Sequence, residues 1–357
     1  MASPFSALTV LIIARNEERY IARCLDSVLA SDYPLEDAQI IVVDGQSEDG
    51  TREIVRAYQK LHPSLVLIDN PSRIFAAGVN AGLRAAQGEL VLILGTHADY
   101  EPRYLSDCVY YSTAYRADNV GGYIEFLPRT DRPFDRAASI ANSHPFGVGS
   151  LNWHQGKAAA KAKQPQWVDT VYGGCYRRDV FDRIGLFNEE LVRSSDMDFN
   201  RRLTAQGGTI LLFPHLAGRV YRHSDLKHFW RSQFVDGLWV TYPLAFGRRI
   251  FKLRHIAPLL CLLAASVLVP LCFVTRAAQT LLVDALIVYA VAHAAALVDV
   301  TRGERRLTVL ALVPIAIAVK HAMYAVGSAV GLFRALFSRR FWSGLARGFP
   351  LVGSHSC

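Results

Sequence analysis

An α/β domain built on a mainly parallel sheet with helices on both faces, followed by membrane-embedded helices, is the architecture this sequence predicts. Three observations predict it. Short apolar runs alternate with segments of helical periodicity across short connections, the mark of right-handed βαβ units. Polar or Gly-rich turns follow the apolar runs, where such sheets bind ligands, beyond the carboxyl ends of the strands. Beyond Ile256 the mixed composition gives way to Ala, Leu and Val, which sets a domain boundary.

The elements follow in order. "ALTVLIIA" is a short β-rich run that ends at Arg15-Asn16-Glu17, and "EERYIARCLDSVLA" then spaces its apolar residues as a helix does. "AQIIVVDGQSEDGT" is a buried strand breaking into a Gly/Ser/Asp turn, and "TREIVRAYQKL" resumes a helix. "LVLID" is a third strand, "IFAAGVNAGLRAAQ" a third helix and "GELVLILG" a fourth strand. Asn16, Glu17, Asp44, Asp69, His97 and Asp99 fall at or just beyond the strand ends, so residues scattered in sequence should converge in space.

From Cys108 to Gln166 the pattern is less regular, and an Ala/Lys run beginning at Gly156 reads as solvated. "VDTVYGGCYRRDVFDRIGLF" returns to strand and helix, "SDMDFNRRLTAQGG" is an amphipathic helix stopped by Gly207-Gly208, and "TILLFP" is a late strand. "HFWRSQFVDGLWVTYPLAFGRRIF" mixes Trp, Phe and Tyr with Arg, a composition suited to a helix at a membrane interface. Four regions result: a first domain over 1–225, an interfacial basic segment over 226–255, a membrane region over 256–336, and a basic tail over 337–357.

Within the membrane region, 256–274 and 277–298 each approach the roughly 20 residues that cross a bilayer. The tight turn at Thr275-Arg276 makes them a hairpin. The segment 307–336 is a third span or a re-entrant helix, since a single crossing would place "FSRRFW" outside, against the positive-inside rule. Asp284 and Lys320 are ionisable residues within apolar spans and are expected to pair. Gly327 and Gly331 form a G-x-x-x-G step, a helix-packing signal.

The net charge of +8 over 357 residues is concentrated around these spans, at Arg248, Arg249, Lys252 and Arg254, at Arg302, Arg305 and Arg306, and at Arg339 and Arg340. That distribution indicates cytoplasmic loops and anionic headgroups and argues against nucleic acid, for which no basic-aromatic motif is present. Cys24, Cys108, Cys175, Cys261, Cys272 and Cys357 include no C-x-x-C pair, which argues against a zinc or disulfide framework. "MASPFSALTV" lacks the basic start and long apolar run of a secretory signal.

Three motifs carry chemistry. In "VVDGQSEDGT", Asp44 at a strand end can accept hydrogen bonds from a nucleobase or ribose, although an ordinary Asx turn has the same look. The motif is neither G-x-G-x-x-G nor a P-loop, which disfavours dinucleotide and ATP cradles. In "SSDMDFNRRL", Asp196 and Asp198 do not share a helix face, so one can cap the helix while the other enters the cleft; Asp196 is the candidate general base. In "GTHADY", His97 and Asp99 can ligate a divalent ion, and His223 of "YRHSD" can close over a diphosphate; the alternative is a plain loop.

Together with "IIARNEERYIARCLDSV", "NPSRIFAAGVNAGLRAAQGE", "HPFGVGS" and Gln233-Phe234, these motifs make residues 8–233 resemble a family 2 inverting glycosyltransferase of the GT-A fold, specifically the bacterial succinoglycan-biosynthesis subgroup. The resemblance implies a nucleoside and donor pocket built from Asn16, Glu17, Asp44, Arg73, Asn80 and Thr96, and a catalytic base at Asp196. It implies an acceptor side shaped by Gly173 and Gly174, and Mn2+ or Mg2+ held by His97 with Asp99 and His223. Two positions depart from the subgroup: the leading Asp of the metal motif is Gly95, and the Glu before the base is Ser195. The processive-synthase signature Gln-x-x-Arg-Trp is missing, since Gln233 is followed by "FVDGLW".

The implied activity is transfer of a hexose from a UDP-sugar to a polyprenyl-diphosphate-linked glycan in exopolysaccharide synthesis. The implied setting is the bacterial inner membrane, with the catalytic domain cytoplasmic and other polysaccharide-assembly enzymes as partners. The alternatives are transfer to polyprenyl phosphate, and a retired domain that binds donor or glycan as a scaffold.

Overall fold

The computed structural model describes residues 8–148, 164–222 and 225–346. His223, most of the Ala/Lys run and the end of the basic tail lie outside the described residues. Two compact units emerge, one of residues 8–125 with 164–221, the other of 126–148, 222 and 225–346. Sequence had put 126–148 with the first domain.

In chain order the elements are β1 (Leu8–Ala14), α1 (Ile21–Leu29), β2 (Ala38–Asp44), α2 (Thr51–Leu61), β3 (Leu65–Asp69), α3 (Phe75–Ala85), β4 (Leu90–Gly95), β5 (Ala98–Tyr100), α4 (Tyr104–Tyr115) and β6 (Asn119–Pro128). There follow α5 (Pro133–Ser143), α6 (Pro145–Val148), β7 (Gln166–Trp167), β8 (Cys175–Arg177), α7 (Asp179–Ile184), α8 (Ser195–Ala205) and β9 (Ile210–Arg222). The chain ends in α9 (Leu226–Thr241), a 3-10 turn (Tyr242–Phe246), α10 (Leu253–Leu271), α11 (Arg276–Val300), α12 (Leu307–Leu336) and α13 (Arg339–Ala346).

One mixed sheet organises the first unit, in the order β3-β2-β1-β4-β8-β6-β9-β5, with β7 also on β9. β1 to β4 are parallel to one another, and β8 reverses direction against both β4 and β6. β1, β2 and β4 are buried along nearly their whole length, as strands covered on both faces must be, which explains their unbroken apolar runs. Leu11, Val43 and Val91 belong to a core that Phe181, Phe187 and Phe199 complete, and the last two rings stack at 4.5 Å.

Register brings the candidate residues together. Ala14 lies beside Asp44, Asp44 beside Asp69, and Ile13 beside Gly95, so the chain leaves four parallel strands at one edge. β9 runs past Pro214, where sequence stops the strand. Pro214 falls between the stretch paired with β7, Leu211 and Leu212, and the stretch paired with β5, Gly218 to Val220. Neither of these pairings uses the N–H that proline lacks, so the residue is tolerated there.

The second unit has its own core. Ala137, Ala138 and Ala141 of α5 pack with Phe229 of α9 and with Val309, Val313, Ala316 and Ile317 of α12. This explains why 126–148 groups here: its small apolar stripe matches α12. The G-x-x-x-G step is a packing seam against α9. A Cβ on Gly327 would stand 2.0 Å from the Phe234 carbonyl oxygen, and one on Gly331 2.4 Å from that of Leu238. Thr241 Oγ1 donates to the Ser328 carbonyl at 2.6 Å, and Ser328 Oγ donates to that of Gly237 at 3.1 Å.

α10, α11 and α12 are each long and apolar enough to cross a membrane. α10 and α11 leave almost all of their surface uncovered, whereas α12 is partly sheathed by α5 and α9. Lys320, expected to pair with Asp284, donates from Nζ to Asn142 Oδ1 of α5 at 2.8 Å.

Candidate functional site

The turns leaving β1 and β2 are clasped to each other. The Asn16 N–H donates to Ser47 Oγ at 2.8 Å while the Glu48 N–H donates to Asn16 Oδ1 at 2.9 Å. The Glu17 N–H donates to Thr51 Oγ1 at 2.7 Å at the start of α2. Asp44 underlies this clasp. Wholly buried, it accepts from the Ser47 N–H at 3.0 Å, the Ser47 hydroxyl at 2.5 Å and Arg52 Nη1 at 2.7 Å. Arg52 also holds Asp69 at 2.5 Å, so one guanidinium bridges the carboxylates ending two neighbouring strands.

Arg73, which follows β3, joins the group by donating from Nε to Gln46 Oε1 at 2.9 Å and standing 3.5 Å from Glu48. Asn16, Gln46, Arg73 and Ser194 all have φ between 55° and 60°. Such left-handed non-glycine residues are uncommon, and four of the five among the described residues lie at the candidate site, where strain is characteristically kept.

After β4, Thr96 is buried and His97 is exposed. The His97 imidazole Nε2 stands 3.1 Å from Glu17 Oε1, and its ring packs edge-on against Tyr20. Asp99 is committed differently: its carboxylate is bound by Arg23 and by the Tyr221 hydroxyl, and Arg23 also stacks 4.4 Å over the Tyr221 ring. Asp99 was expected beside His97 as a ligand, but its counter-ion is already supplied. Among the described residues no group of three or more His, Cys, Asp or Glu side chains is placed to hold a metal ion. His97 and Glu17 form a two-donor set, which fits a divalent cation only if a bound ligand supplies the remaining oxygens.

Gly95 has a structural counterpart. A Cβ at this position would lie 3.0 Å from the Tyr172 hydroxyl, so the carboxylate that the resemblance leads one to expect has been replaced by a glycine beneath a phenol. Gly173 and Gly174 are demanded by the same turn. Gly173 has φ +58° and its carbonyl accepts from Tyr104 Oη at 2.6 Å, while a Cβ on Gly174 would meet Asn119 Oδ1 at 2.5 Å.

Asp196 and Asp198 part company on α8. Asp198 is buried and pairs with Arg202 at 2.9 Å, which in turn donates to the carbonyls of Ile184 and Leu186. It is an anchor. Asp196 is open to solvent, and no cation pairs with it among the described residues. Protein crowded around its carboxyl raises its pKa above the usual aspartate value, against the pull of the Met197 and Asp196 N–H groups. An aspartate poised this way can take a proton.

α8 is held in place from below. Asn200 accepts from Asn119 Nδ2 at 3.3 Å and Tyr176 Oη at 3.1 Å, and donates to Thr170 Oγ1 at 3.0 Å. Asn80, expected in the donor pocket, stands apart from that group. Its amide exchanges hydrogen bonds with the Phe187 backbone and donates to Glu189 at 2.8 Å, fixing the segment that leads into α8. Sequence reasoning missed Arg23, Arg52 and Tyr172. The signal for Arg52 was present, since two carboxylates ending adjacent strands need a cation nearby.

Comparison with known proteins adds an independent line. Residues 9–185 match the family model described as glycosyl transferase family 2. The chain is similar to a dolichyl N-acetyl-α-D-glucosaminyl phosphate 3-β-D-2,3-diacetamido-2,3-dideoxy-β-D-glucuronosyltransferase of Methanococcus voltae, 26% identical over 69% of this chain and 74% of the relative. It is also similar to succinoglycan biosynthesis protein ExoA of Rhizobium meliloti, 24% identical over 69% of this chain and 70% of the relative. Among solved structures, the mannosyltransferase PcManGT from Pyrobaculum calidifontis, in complex with GDP-Man and Mn2+, shares the fold. The TM-score is 0.56 at 22% identity, covering 89% of this chain and 88% of that one.

Proposed function

From the premise that residues 9–185 are a glycosyl transferase family 2 domain, and the chain therefore a glycosyltransferase, we propose a membrane-anchored inverting enzyme that moves a hexose from a UDP-sugar to a polyprenyl-diphosphate-linked glycan. The observation that carries the reading is Asp196: a carboxylate with a raised pKa and no cation beside it, on a helix whose other aspartate is fully engaged. Asp196 takes the proton of the acceptor hydroxyl as its oxygen attacks the anomeric carbon, opposite the departing diphosphate.

The clasped turns of Asn16, Ser47 and Glu48, with Arg73, form the nucleoside side, and buried Asp44 keeps them in place through Ser47 and Arg52. His97 and Glu17 would hold Mn2+ or Mg2+, which when bound supplies a Lewis acid for the diphosphate. Gly173 and Gly174 shape the acceptor side. α10 and α11 anchor the chain with the catalytic domain on the cytoplasmic side, where Arg248, Arg249, Arg302, Arg305 and Arg306 obey the positive-inside rule. A bacterial inner membrane and other polysaccharide-assembly enzymes complete the proposed setting.

Two alternatives keep specific support. A monophosphate rather than diphosphate link between lipid and acceptor sugar is favoured by the M. voltae relative, whose name carries a dolichyl-linked sugar phosphate. A retired, donor-binding scaffold is favoured by Gly95 and Ser195, which lack the carboxylates the resemblance leads one to expect. The test uses the full chain in lipid with a panel of UDP- and GDP-sugars, prenyl phosphate and prenyl-diphosphate glycan acceptors, and Mn2+, Mg2+ or chelator. UDP release coupled to glycosylation of the diphosphate-linked acceptor is the expected result. Donor binding without turnover in every condition points to the scaffold.

A further inference from the structure

We propose that the second unit carries a binding site for the phosphate of a membrane lipid, in an open cleft of ≈ 730 Å³ bounded by the 3-10 turn, the end of α12 and the start of α13. Tyr242 and Phe246 line it from the turn, Arg334 and Phe337 from the end of α12, and Arg339 and Arg340 from α13. Three guanidiniums therefore border one recess.

Three other arginines of this unit are matched to carboxylates: Arg136 to Glu304, Arg306 to Asp131 and Arg302 to Asp299. Arg334 and Arg339 have no ion-pair partner among the described residues. Like charges gathered without a counter-ion create a positive potential that an anion relieves, and the planar guanidinium fork suits phosphate oxygens best.

The surroundings indicate that the phosphate belongs to a lipid. Phe337 is 77% exposed and Trp342 of α13 is 55% exposed, an aromatic fringe of the kind that sits at headgroup level. Behind the cleft Leu244, Ala245, Ala335 and Phe341 form a small apolar core, so the recess has a rigid floor. Its volume lies within the roughly 300–1,000 Å³ of small-ligand sites, enough for a headgroup and the first carbons of its chain. The proposal does not depend on the identity of the sugar acceptor. Both a glycerophospholipid and a prenyl phosphate present the required chemistry.

The experiment titrates the purified full chain, in neutral detergent micelles, with farnesyl phosphate, phosphatidylglycerol or phosphatidylcholine, reading affinity by thermophoresis. Saturable binding of farnesyl phosphate or phosphatidylglycerol is expected, weakened tenfold or more in the Arg334→Ala/Arg339→Ala double variant and unchanged in Arg302→Ala. The Arg334→Lys/Arg339→Lys variant, which keeps the charge and loses the fork, is expected between the two. Preference for farnesyl phosphate supports a prenyl carrier as the source, and preference for phosphatidylglycerol supports the bilayer itself. Equal titration curves for the wild type and both double variants, or no saturable binding of either anionic probe, overturn the proposal.

Discussion

Replacing Asp196 or Asp198 by asparagine removes one charge from the same helix turn, yet the structure assigns the two changes opposite consequences. Asp196→Asn removes a proton acceptor with no cation beside it. General base catalysis contributes ~10²–10⁴-fold, or about 3–5 kcal/mol of barrier at roughly 1.4 kcal/mol per decade. The folded state raises this carboxyl's pKa, so it favours the neutral form, and at neutral pH the charge detracts from stability. Asparagine lifts that cost, and the melting temperature should hold or rise while transfer is lost.

Asp198→Asn strands Arg202, whose side chain is 9% exposed against 5% for Asp198. Breaking a buried pair costs about 3–5 kcal/mol. Because asparagine keeps the shape and one hydrogen bond, the lower end applies, and at roughly 2–4 °C per kcal/mol the melting temperature should drop by some 6–12 °C. The assay combines three readings on the full chain: sugar transfer to lipid acceptor, donor affinity by calorimetry, and a thermal melt. Loss of donor affinity or of melting temperature in Asp196→Asn, with turnover surviving, would refute the assignment.

Three further outcomes are expected. The acid limb of the transfer rate should lie above the ordinary aspartate range, because Asp196 must be ionised to act and the protein crowded around its carboxyl raises its pKa; a limb at or below that range contradicts this. Gly95→Asp alone should destabilise the chain by about 1–3 kcal/mol through contact with the Tyr172 hydroxyl. Adding Tyr172→Phe should recover much of that loss, and equal melting curves for the single and double variants would show the contact to be harmless. Arg136→Gln should cost about 1–2 kcal/mol by removing the partly exposed cation of Glu304, whose carboxylate keeps the Arg305 and Arg306 N–H bonds. Hydrogen bonds from the Arg306 N–H and from Arg136 lower the Glu304 pKa, so its contribution is present above the ordinary glutamate value and fades as pH falls through the lowered one. Wild type and variant melts should therefore converge in acid.

Much of the fold was legible because it is local. β1 to β4 announce themselves as apolar runs, and α10 to α12 as longer ones; both signals need only a short window. The gathering of Asn16, Asp44, Asp69 and His97 followed from the rule for parallel strand ends. What escaped depends on partners distant in sequence. Nothing near Asp99 announces Arg23 or Tyr221, and nothing near Gly95 announces Tyr172. Asp196 and Asp198 look equivalent until Arg202 is seen to claim one of them. The stripe Ala137, Ala138 and Ala141 reads as an ordinary helix face, and only α12 shows what it is for.

The glycine seam between α9 and α12 also dictates an order of assembly. Thr241 and Ser328, which bond across it, are 87 residues apart in sequence, and between them lie α10 and α11. As the chain leaves the ribosome, α9 emerges with Gly237 bare, and its complement does not yet exist. α10 and α11 are made next, so a hairpin long and apolar enough to enter a bilayer is complete before the seam can close. A hairpin seated in a bilayer would hold its two ends near one another, which shortens the search that so long a loop would otherwise require. A lipid bilayer can in this way serve as the template on which α12 finds α9.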